Sequence, residues 1–328
     1  MLSKKKFKKK QYKSVVIGAG RIGAFFDSPK SKDVVTHAHA LTKHPRILFE
    51  GFFDMDKNKS SSAAKVWGTN SFEDMSDMMT AVRPDIVSVC VPDEYHSNIL
   101  MSVVDYKPKL VICEKPLTTN LKDSLAVIEC YSNKKIPILV NYSRRFSKTF
   151  QTLKNDINQN KYGQVLTASG IYTKGILHNG SHLLDLAAFF FGKLKESKSL
   201  FGRMDYKSSD KTVGGFASFE KCPQFYLMAG DERVYSIFEM DILFERARFT
   251  IINDGFNVLV RHVVDDPRYK GYLILSGPKK IKTDYGNVMY NMVDNAVKYL
   301  NGQEDLLCTA EQALEVQKIA TQFLGRVA

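Results

Sequence analysis

The sequence is poor in cysteine, has a single tryptophan and contains no long apolar run. Its five cysteines are scattered and none form a CxxC pair. This spacing argues against a zinc site and, without a secretory pattern, favours reduced thiols in a cytoplasmic protein. The longest apolar stretch, residues 183–191, contains Asp185 and is too short to cross a bilayer. No apolar segment follows the Lys-rich start, so we predict neither a secretory signal nor a membrane partner.

Positive charge is concentrated at one end of the chain. The formal net charge is +12, and residues 1–13 hold seven lysines and no acidic residue. Without them the chain has 40 basic and 35 acidic residues, a net charge of +5. We predict that residues 1–13 are a disordered, solvated tail. Nucleic-acid binding is the weaker interpretation, because this segment has only two aromatic side chains for base stacking.

The order of apolar segments predicts two domains. Over residues 14–145, short strands alternate with helices, a pattern typical of βαβ units around a parallel sheet. Beyond about residue 150, longer segments alternate between apolar and polar residues, which favours antiparallel strands with one solvated face. We therefore expect a second α/β domain over residues 146–328, with a largely antiparallel open sheet. Its two C-terminal amphipathic helices are candidates to pack back on the first domain.

A glycine motif follows the first predicted strand. Gly18, Gly20 and Gly23, with Arg21 and Ile22 between them, complete the pattern GxGxxG. The first glycine permits a tight turn, the second lets the backbone approach a pyrophosphate, and the third lets a helix pack closely on the sheet. The motif predicts a Rossmann domain that binds a dinucleotide through these five residues. A purely structural glycine turn is the alternative.

Asp54 ends the second predicted strand and is the candidate to bind the ribose hydroxyls of the dinucleotide. It lies farther from the glycines than usual, which a predicted polar loop at residues 25–36 accounts for. Its charge repels a 2′-phosphate, so we predict NAD as the cofactor. Lys57 and Lys59 nearby leave NADP open, and an ordinary turn aspartate is the alternative interpretation.

The fourth predicted strand ends in a short motif of its own. Val91 and Pro92 close this strand, and His96 lies where the following helix begins. All three are candidate cofactor contacts, because ligands of open α/β sheets bind at the carboxyl ends of the strands. A histidine at the start of a helix is also commonly structural.

The next strand, residues 110–113, runs into Glu114, Lys115 and Pro116. Proline has no N–H and ends the strand. A lysine beside a buried strand is unusual, because removing its charge from water is costly. We therefore place Lys115 at the ligand-binding edge of the sheet.

A histidine-rich segment lies in the second predicted domain. His178 and His182 are four residues apart, and Asp185 follows three residues later. On a helix these side chains would share one face. The pair suggests a metal, but Gly180 lies between the histidines and no third ligand is evident, so we predict no metal. A general acid/base role for His182 is favoured over a packed structural histidine.

Together these motifs resemble those of the Gfo/Idh/MocA family of NAD(P)-dependent oxidoreductases, over nearly the whole chain from about residue 14. The resemblance includes the glycine motif, Val91-Pro92 with His96, Glu114-Lys115-Pro116, the run at residues 141–146, and the segment that ends in His182-x-x-Asp185. It implies a Rossmann domain followed by an α/β domain whose open sheet often supports dimers or tetramers. It also implies oxidation or reduction of a hydroxyl or ketone on a sugar, cyclitol or sugar nucleotide.

The resemblance also implies roles for individual residues. Lys115 would bond the reacting oxygen, His182 would exchange the proton, and Glu114 would lie beside the cofactor. The implied substrate-binding residues, besides Lys115, are Tyr142, Arg144, Arg145, His178, Asn179 and Asp185. Either arginine would contact an anionic group of the substrate or cofactor, or would be a solvated surface residue.

Position 178 departs from the family pattern. Many members have an aspartate four residues before the histidine that corresponds to His182, and here that position is His178. A histidine can relay a proton or bond a substrate hydroxyl, so we keep His178 as a candidate catalytic residue. It cannot supply the same fixed negative charge. A regulatory protein that binds NAD and a sugar without turnover is therefore the alternative to an enzyme.

Overall fold

Two compact units make up the chain, of which the computed structural model describes residues 11–325. Unit 1 contains the chain up to Asn141 together with Asn287–Ala310, and unit 2 contains Tyr142–Gly286 together with the segment from Glu311. The predicted boundary after residue 145 thus comes later than the change of unit. Of the predicted disordered tail, residues 1–10 lie outside the described residues, whereas Tyr12 and Lys13 belong to the first strand because they pair with Ile47 and Leu48.

Unit 1 is built on a parallel sheet of six strands. They are β1 (Tyr12–Ile17), β2 (Ile47–Phe53), β3 (Asn70–Phe72), β4 (Ile86–Val89), β5 (Leu110–Cys113) and β6 (Ile138–Val140). Their order in the sheet is β3-β2-β1-β4-β5-β6. The chain leaves central β1 first to one side and then to the other, so a topological switch point lies between β1 and β4. The predicted Rossmann fold is confirmed.

Helices connect the strands of unit 1 and cover part of unit 2. Those of the described residues are α1 (His37–Lys43), α2 (Lys57–Trp67), α3 (Met75–Val82), α4 (His96–Val103), α5 (Leu121–Asn133), α6 (Lys148–Asn158), α7 (Ser181–Phe191), α8 (Val288–Leu300) and α9 (Ala310–Leu324). The side chains of Thr36, Asp56, Asp74 and Asn120 accept hydrogen bonds from the first turns of α1, α2, α3 and α5. Such caps satisfy backbone N–H groups that have no partner within the helix.

Register places the carboxyl ends of four strands of unit 1 in one row. Ile17 pairs with Val89, Val89 with Cys113, and Cys113 with Val140. The residues that follow these ends are the glycine loop, Val91-Pro92, Glu114-Lys115 and Asn141. The parallel sheet therefore gathers motifs that are far apart in the sequence.

The loop predicted at residues 25–36 is present and is held by one carboxylate. Asp27 accepts hydrogen bonds from the backbone N–H of Val35 (2.6 Å), the hydroxyl of Thr36 and Nδ1 of His39 (2.8 Å). Because Thr36 caps α1, the same carboxylate fixes the loop and the start of the helix. The helix expected after the glycines is reduced to a single turn at Arg21–Phe25.

Unit 2 is built on a mixed, mostly antiparallel sheet of nine strands. They are β7 (Val165–Tyr172), β8 (Leu194–Lys207), β9 (Asp210–Phe219), β10 (Cys222–Ala229), β11 (Phe238–Phe244), β12 (Ala247–Ile252), β13 (Asn257–Asp265), β14 (Leu273–Leu275) and β15 (Lys279–Lys282). The order is β14-β13-β12-β11-β7-β10-β9-β8, and β15 pairs with β13. Within this sheet, β10 runs parallel to β7. The predicted open antiparallel sheet is confirmed.

One face of this sheet packs against helices. A Cβ on Gly170 of β7 would come within 2.5 Å of the Leu183 side chain on α7, so glycine permits the helix to lie directly on the strand. The Phe191 ring lies 6.2 Å from that of Phe225 on β10. Ser199 of β8 donates a hydrogen bond to the backbone carbonyl of Phe323 in α9 (2.7 Å). The alternating burial along β11 leaves its other face only half-buried.

Two local features of the structure have little signal in the sequence. Asn70–Phe72 forms the short edge strand β3, and the helix α3 that follows begins at Met75. Three polar-rich residues carry too little apolar periodicity to be recognised as a strand. The alternating residues at 235–252 contain the antiparallel strands β11 and β12, and the chain turns between them at Glu245 and Arg246. Within residues 11–325, no helix combines the length and apolarity that a membrane crossing requires.

Candidate active site

The glycine loop has the geometry that its sequence predicts. Gly18 has a φ of +99°, and a Cβ there would lie 2.6 Å from the carbonyl carbon of Cys90. A Cβ on Gly23 would lie 2.2 Å from the Gly18 carbonyl oxygen. By contrast, a Cβ on Gly20 would have no atom within 4 Å. Two glycines are thus needed for the fold itself, whereas Gly20 leaves open space for a group outside the protein.

Asp54 lies next to this loop. Its Oδ2 accepts a hydrogen bond from the backbone N–H of Ala19 (2.7 Å), and its Oδ1 accepts one from Asp56 (2.9 Å). The side chain remains partly exposed. The carboxylate therefore supports the glycine turn and still presents a surface at the end of β2, where the ribose was predicted to bind.

His96 is a buried residue whose contacts are with the protein backbone. It is fully buried, and its ring nitrogens lie 2.7 Å from the Pro116 carbonyl oxygen and 3.0 Å from that of Val91. A side chain with no exposed surface cannot touch a ligand in this structure. His96 thus holds together two loops that were predicted to contact the cofactor, of which Val91 and Pro92 themselves are accessible.

Glu114 is the centre of a hydrogen-bond network at the edge of the sheet. Its Oε1 accepts hydrogen bonds from Nε2 of His37 (2.8 Å) and from the side-chain amide of Asn141 (2.6 Å). Burial raises the pKa of this carboxyl group, but the hydrogen bonds from His37 and Asn141 and the nearby charge of Lys115 outweigh burial. The net pKa is therefore lowered, and Glu114 is held as a carboxylate beside Lys115, which is partly exposed.

The predicted substrate-binding arginines are buried structural residues. Arg145 donates from Nε to Oδ1 of Asp185 (2.8 Å), and both residues are nearly inaccessible. The Arg144 guanidinium lies 3.5 Å from the centre of the Phe238 ring and donates to the carbonyl oxygen of Asp254. Burial raises the pKa of Asp185, and the charge of Arg145 offsets this only in part. This ion pair therefore bridges two segments of unit 2, and direct substrate contact by Arg144, Arg145 or Asp185 does not fit their burial.

The histidine segment is a wide helical turn, Gly175–Gly180, that runs into α7. His178, Asn179 and His182 are all partly exposed. The His182 ring packs edge-on against the ring of Tyr142, with centroids 5.6 Å apart. The side chain of Asn179 donates to the Thr173 carbonyl oxygen (3.0 Å). Unit 2 thus brings together four of its predicted site residues, and Tyr142 supports the ring of His182. In the described part of the chain, no three acidic, cysteine or histidine side chains form a metal-binding group.

Several residues that hold the candidate site were not among the predicted site residues. His37 and Asn141 bond Glu114, and Asp205 and Asp210 bond the backbone of the histidine segment. Asn141 carries a usable signal, because it follows a strand that ends in the same row as Glu114. The other three had none, since their partners lie about 30 residues or more away in the sequence.

Known proteins with this fold share both units. The chain superposes on UDP-N-acetylglucosamine 3-dehydrogenase GnnA of Acidithiobacillus ferrooxidans with a TM-score of 0.75 and 14% identity, covering 97% of this chain and 98% of the other. It superposes on the WlbA dehydrogenase of Bordetella pertussis, solved with NADH and UDP-GlcNAcA, with a TM-score of 0.76 and 15% identity, covering 97% and 95%. At such identities the likeness establishes the fold.

The family model matches the N-terminal part of the chain. Residues 12–142 match the family model described as "Oxidoreductase family, NAD-binding Rossmann fold", GFO_IDH_MocA. Inositol 2-dehydrogenase of Corynebacterium glutamicum is 26% identical over 160 residues, which are 48% of this chain and 44% of that protein. The matched region thus spans less than half of that relative.

Fold and sequence together define a two-domain protein whose N-terminal part matches an NAD-binding Rossmann domain. Residues 12–142 match the N-terminal domain of the Gfo/Idh/MocA family. The resemblance seen in the sequence motifs is confirmed.

Two glycine variants separate the fold of the loop from ligand binding. Gly23→Ala should destabilise unit 1 by roughly 1–3 kcal/mol, because its Cβ overlaps the Gly18 carbonyl. Gly20→Ala should leave the unfolding midpoint unchanged, since its Cβ meets open space. It should nevertheless raise the Kd for NADH about tenfold, or ~1.4 kcal/mol. Urea unfolding and NADH fluorescence titration measure the two effects. Unchanged NADH affinity in Gly20→Ala would show that no pyrophosphate binds there.

The lowered pKa of Glu114 predicts an acid-dependent stability. An acid whose pKa falls below its ordinary value of 4.5 on folding stabilises the protein above that value, and the contribution disappears as the pH falls through the folded pKa. Glu114→Gln should therefore be less stable than the wild type at pH 7, and the gap should narrow from about pH 5 to about pH 3. Urea unfolding over this range tests it. The exposed Glu129→Gln on α5 is the control, and a constant gap for Glu114→Gln contradicts the prediction.

Proposed function

We propose that the protein is an NAD-dependent oxidoreductase that transfers a hydride between nicotinamide and a hydroxyl or ketone carbon of a sugar, cyclitol or sugar nucleotide. The observation that carries the proposal is the row of strand ends in unit 1. There the glycine loop, Asp54 and the Glu114-Lys115 pair lie at one edge of the sheet. Ligands of open α/β sheets bind at this edge, beside the switch point.

The residues of the glycine loop fit a dinucleotide. The open space above Gly20 permits a pyrophosphate to approach the backbone, as the GxGxxG motif requires. The single turn Arg21–Phe25 has little macrodipole, so the backbone N–H groups of the loop must provide most of the attraction. Gly18, Gly20, Arg21, Ile22 and Gly23 are the residues that would hold the phosphates.

The surroundings of Asp54 support NAD over NADP. Asp54 accepts hydrogen bonds from the backbone N–H groups of Ala19 and Asp56, and its negative charge would face the 2′ position of the adenosine ribose. Lys57 and Lys59, which could neutralise a 2′-phosphate, pair with Glu73 and Asp56. A 2′-phosphate would therefore meet three carboxylates along with the two lysines.

The proposed chemistry divides between the cofactor and the chain. When bound, NAD supplies the hydride acceptor or donor. Lys115 bonds the reacting oxygen and stabilises negative charge that develops on it, and the carboxylate of Glu114 fixes the segment that carries this lysine. His182 takes the hydroxyl proton on oxidation and returns it on reduction. His178 and Asn179 hold substrate hydroxyls, and Tyr142 orients the ring of His182.

The substrate class is proposed from the relatives. Proteins similar to this chain are named for inositol and for UDP-N-acetylglucosamine, and another was solved with a UDP-linked sugar acid. All three ligands are polyhydroxylated rings. The partly exposed histidines and Asn179 offer hydrogen-bonding groups that suit such a ring.

A substrate panel tests this function. The purified protein is incubated with inositols, free sugars and UDP-sugars, with NAD and NADP in parallel, and the absorbance of the reduced nicotinamide is followed. We expect turnover with at least one member of the panel, and faster with NAD. NADH binding without turnover for any member would support instead a non-catalytic regulatory protein that binds NAD and a sugar.

Two substitutions test the proposed catalytic residues. Lys115→Ala and His182→Ala should each lower kcat about 10²-fold or more, because each removes a group that acts on the reacting oxygen or its proton. The Kd for NADH should remain near the wild-type value, as neither side chain is assigned to the pyrophosphate. Lys122→Ala, an exposed lysine on α5, is the control for loss of a positive charge. Wild-type kcat in either variant would remove that residue from the mechanism.

We also propose that the protein is a homo-oligomer, a dimer or tetramer, associated through the open face of the sheet in unit 2. Phe216 and Tyr226 are cross-strand neighbours on that face, with ring centroids 5.8 Å apart, and Tyr226 and Met228 are each 44% exposed. A patch of this kind on an open sheet suits a self-complementary contact with a second copy.

The mass of the protein in solution tests the assembly. Light scattering should give at least twice the 37.1 kDa mass of one chain. Tyr226→Glu should shift the protein to monomers, because it would place a charge in the buried centre of the interface. Leu125→Glu, which alters an exposed leucine of α5 in unit 1, should not. A monomeric wild type would contradict the proposal.

A further inference from the structure

The hairpin that joins β8 to β9 holds the backbone of the histidine segment. Asp210 is 6% exposed and accepts hydrogen bonds from the backbone N–H groups of Leu177 (2.8 Å) and His178 (2.9 Å), one on each carboxylate oxygen. A Cβ on Gly175 would lie 2.2 Å from this carboxylate, so glycine is required for its approach. Burying a carboxylate is costly, and two charge-assisted hydrogen bonds offset that cost.

A second carboxylate of the same hairpin holds the start of the segment. Asp205 accepts from the N–H of Lys174 (3.0 Å) and from the hydroxyl of Thr212 (2.6 Å). That hydroxyl in turn accepts from the N–H of Gly175 (2.7 Å). Lys174 has a φ of +72°, a left-handed conformation that costs a residue with a side chain of order 1 kcal/mol. The hairpin stabilises this strained entry into the turn.

The hairpin also contacts the side chain of His178. The ring of Tyr206, next to Asp205, packs on the ring of His178 with centroids 5.1 Å apart. The topology of the sheet explains the contact between Tyr206 and His178, because β9 begins at the edge where β7 and the parallel strand β10 end. Backbone and ring of His178 are thus both in contact with one element that lies about 30 residues further along the chain.

We propose that Asp210, assisted by Asp205 and Thr212, is a positioning residue that sets His178 for contact with the substrate. This inference rests on the proposed function, since it assigns His178 to the substrate site. Asp210 acts through the backbone, so its effect should appear in substrate turnover and leave the cofactor unaffected. Displacing a substrate contact by about an ångström can cost up to about a hundredfold in rate.

The test compares Asp210→Asn with a matched variant in the same unit. Asparagine keeps one acceptor oxygen, so one of the two N–H groups loses its partner. Asp284→Asn is the control, because Asp284 likewise accepts from two successive backbone N–H groups, those of Lys148 and Thr149, at the start of α6. We expect Asp210→Asn to lower kcat/KM roughly ten- to a hundredfold with unchanged Kd for NADH. Asp284→Asn should change kcat/KM by no more than about twofold.

A double-mutant cycle separates positioning from general destabilisation. In a His178→Asn background, Asp210→Asn should cost no more than about twofold, because the side chain that it positions is already gone. The full loss in that background, or wild-type kcat/KM in Asp210→Asn alone, would overturn the proposal.

Two readouts do not depend on turnover. Amide exchange at residues 177 and 178, and the His178 ring resonance assigned with His178→Asn, should change in Asp210→Asn and not in Asp284→Asn. If the substrate panel shows no turnover, the proposed function fails while these readouts still decide whether Asp210 positions His178. Unchanged exchange and an unchanged ring resonance overturn the positioning role regardless of activity.

Discussion

Parallel pairing around β1 is the constraint on which the site in unit 1 depends. Only a sheet whose strands run in one direction brings Ile17, Val89, Cys113 and Val140 into one row, so that the loops beyond them lie side by side. The close approach of these loops then restricts the sequence. Gly18 and Gly23 leave no space for a side chain, and His96 fills the gap between the loops after β4 and β5 with a buried ring that faces two carbonyl oxygens.

Within each unit, carboxylates with little exposed surface hold segments of the chain together. Glu114 accepts from His37 and Asn141, Asp27 from the loop before α1, and Asp210 from the histidine segment. Each joins parts of the chain that are distant in sequence or lie across a loop. A carboxylate suits this task because it accepts several hydrogen bonds at once, and removing one donor leaves a buried charge partly unsatisfied. Hydrogen bonds of this kind fix the positions of the segments, which a site that must hold a ligand in one orientation requires.

The sequence allowed the parts of the fold that follow from local patterns to be predicted. Buried parallel strands appear as short β-branched runs, and GxGxxG after such a run predicts a tight turn that a pyrophosphate can approach. The strand β3 was missed, since its three residues have no apolar pattern and depend on pairing with β2. Catalytic candidates such as Lys115 could be chosen because they follow a recognisable strand end.

Charged residues could not be sorted by sequence into ligand contacts and structural pairs. Arg144, Arg145 and Asp185 were predicted to bind substrate, yet the ion pair between Arg145 and Asp185 spans 40 residues and is buried. Conversely, Asp205 and Asp210 lie near the turn between β8 and β9, where no sequence motif indicates a site. They become neighbours of the histidine segment only when the sheet forms. The partner of a charge is set by tertiary structure, and no periodicity or spacing encodes a contact of that range.

The contacts of Asp210 change the role that we propose for His178. A family aspartate there would direct its charge from the side chain, whereas the carboxylate that lies nearest to this backbone belongs to Asp210 and is engaged by two N–H groups. A carboxylate whose two oxygens each bind a backbone N–H fixes the geometry of the segment that carries those groups. On the proposed function, the chain therefore keeps a negative charge beside residue 178 but uses it for orientation. The hydrogen bonds to the substrate then fall to the imidazole of His178 itself, which Tyr206 supports on one side.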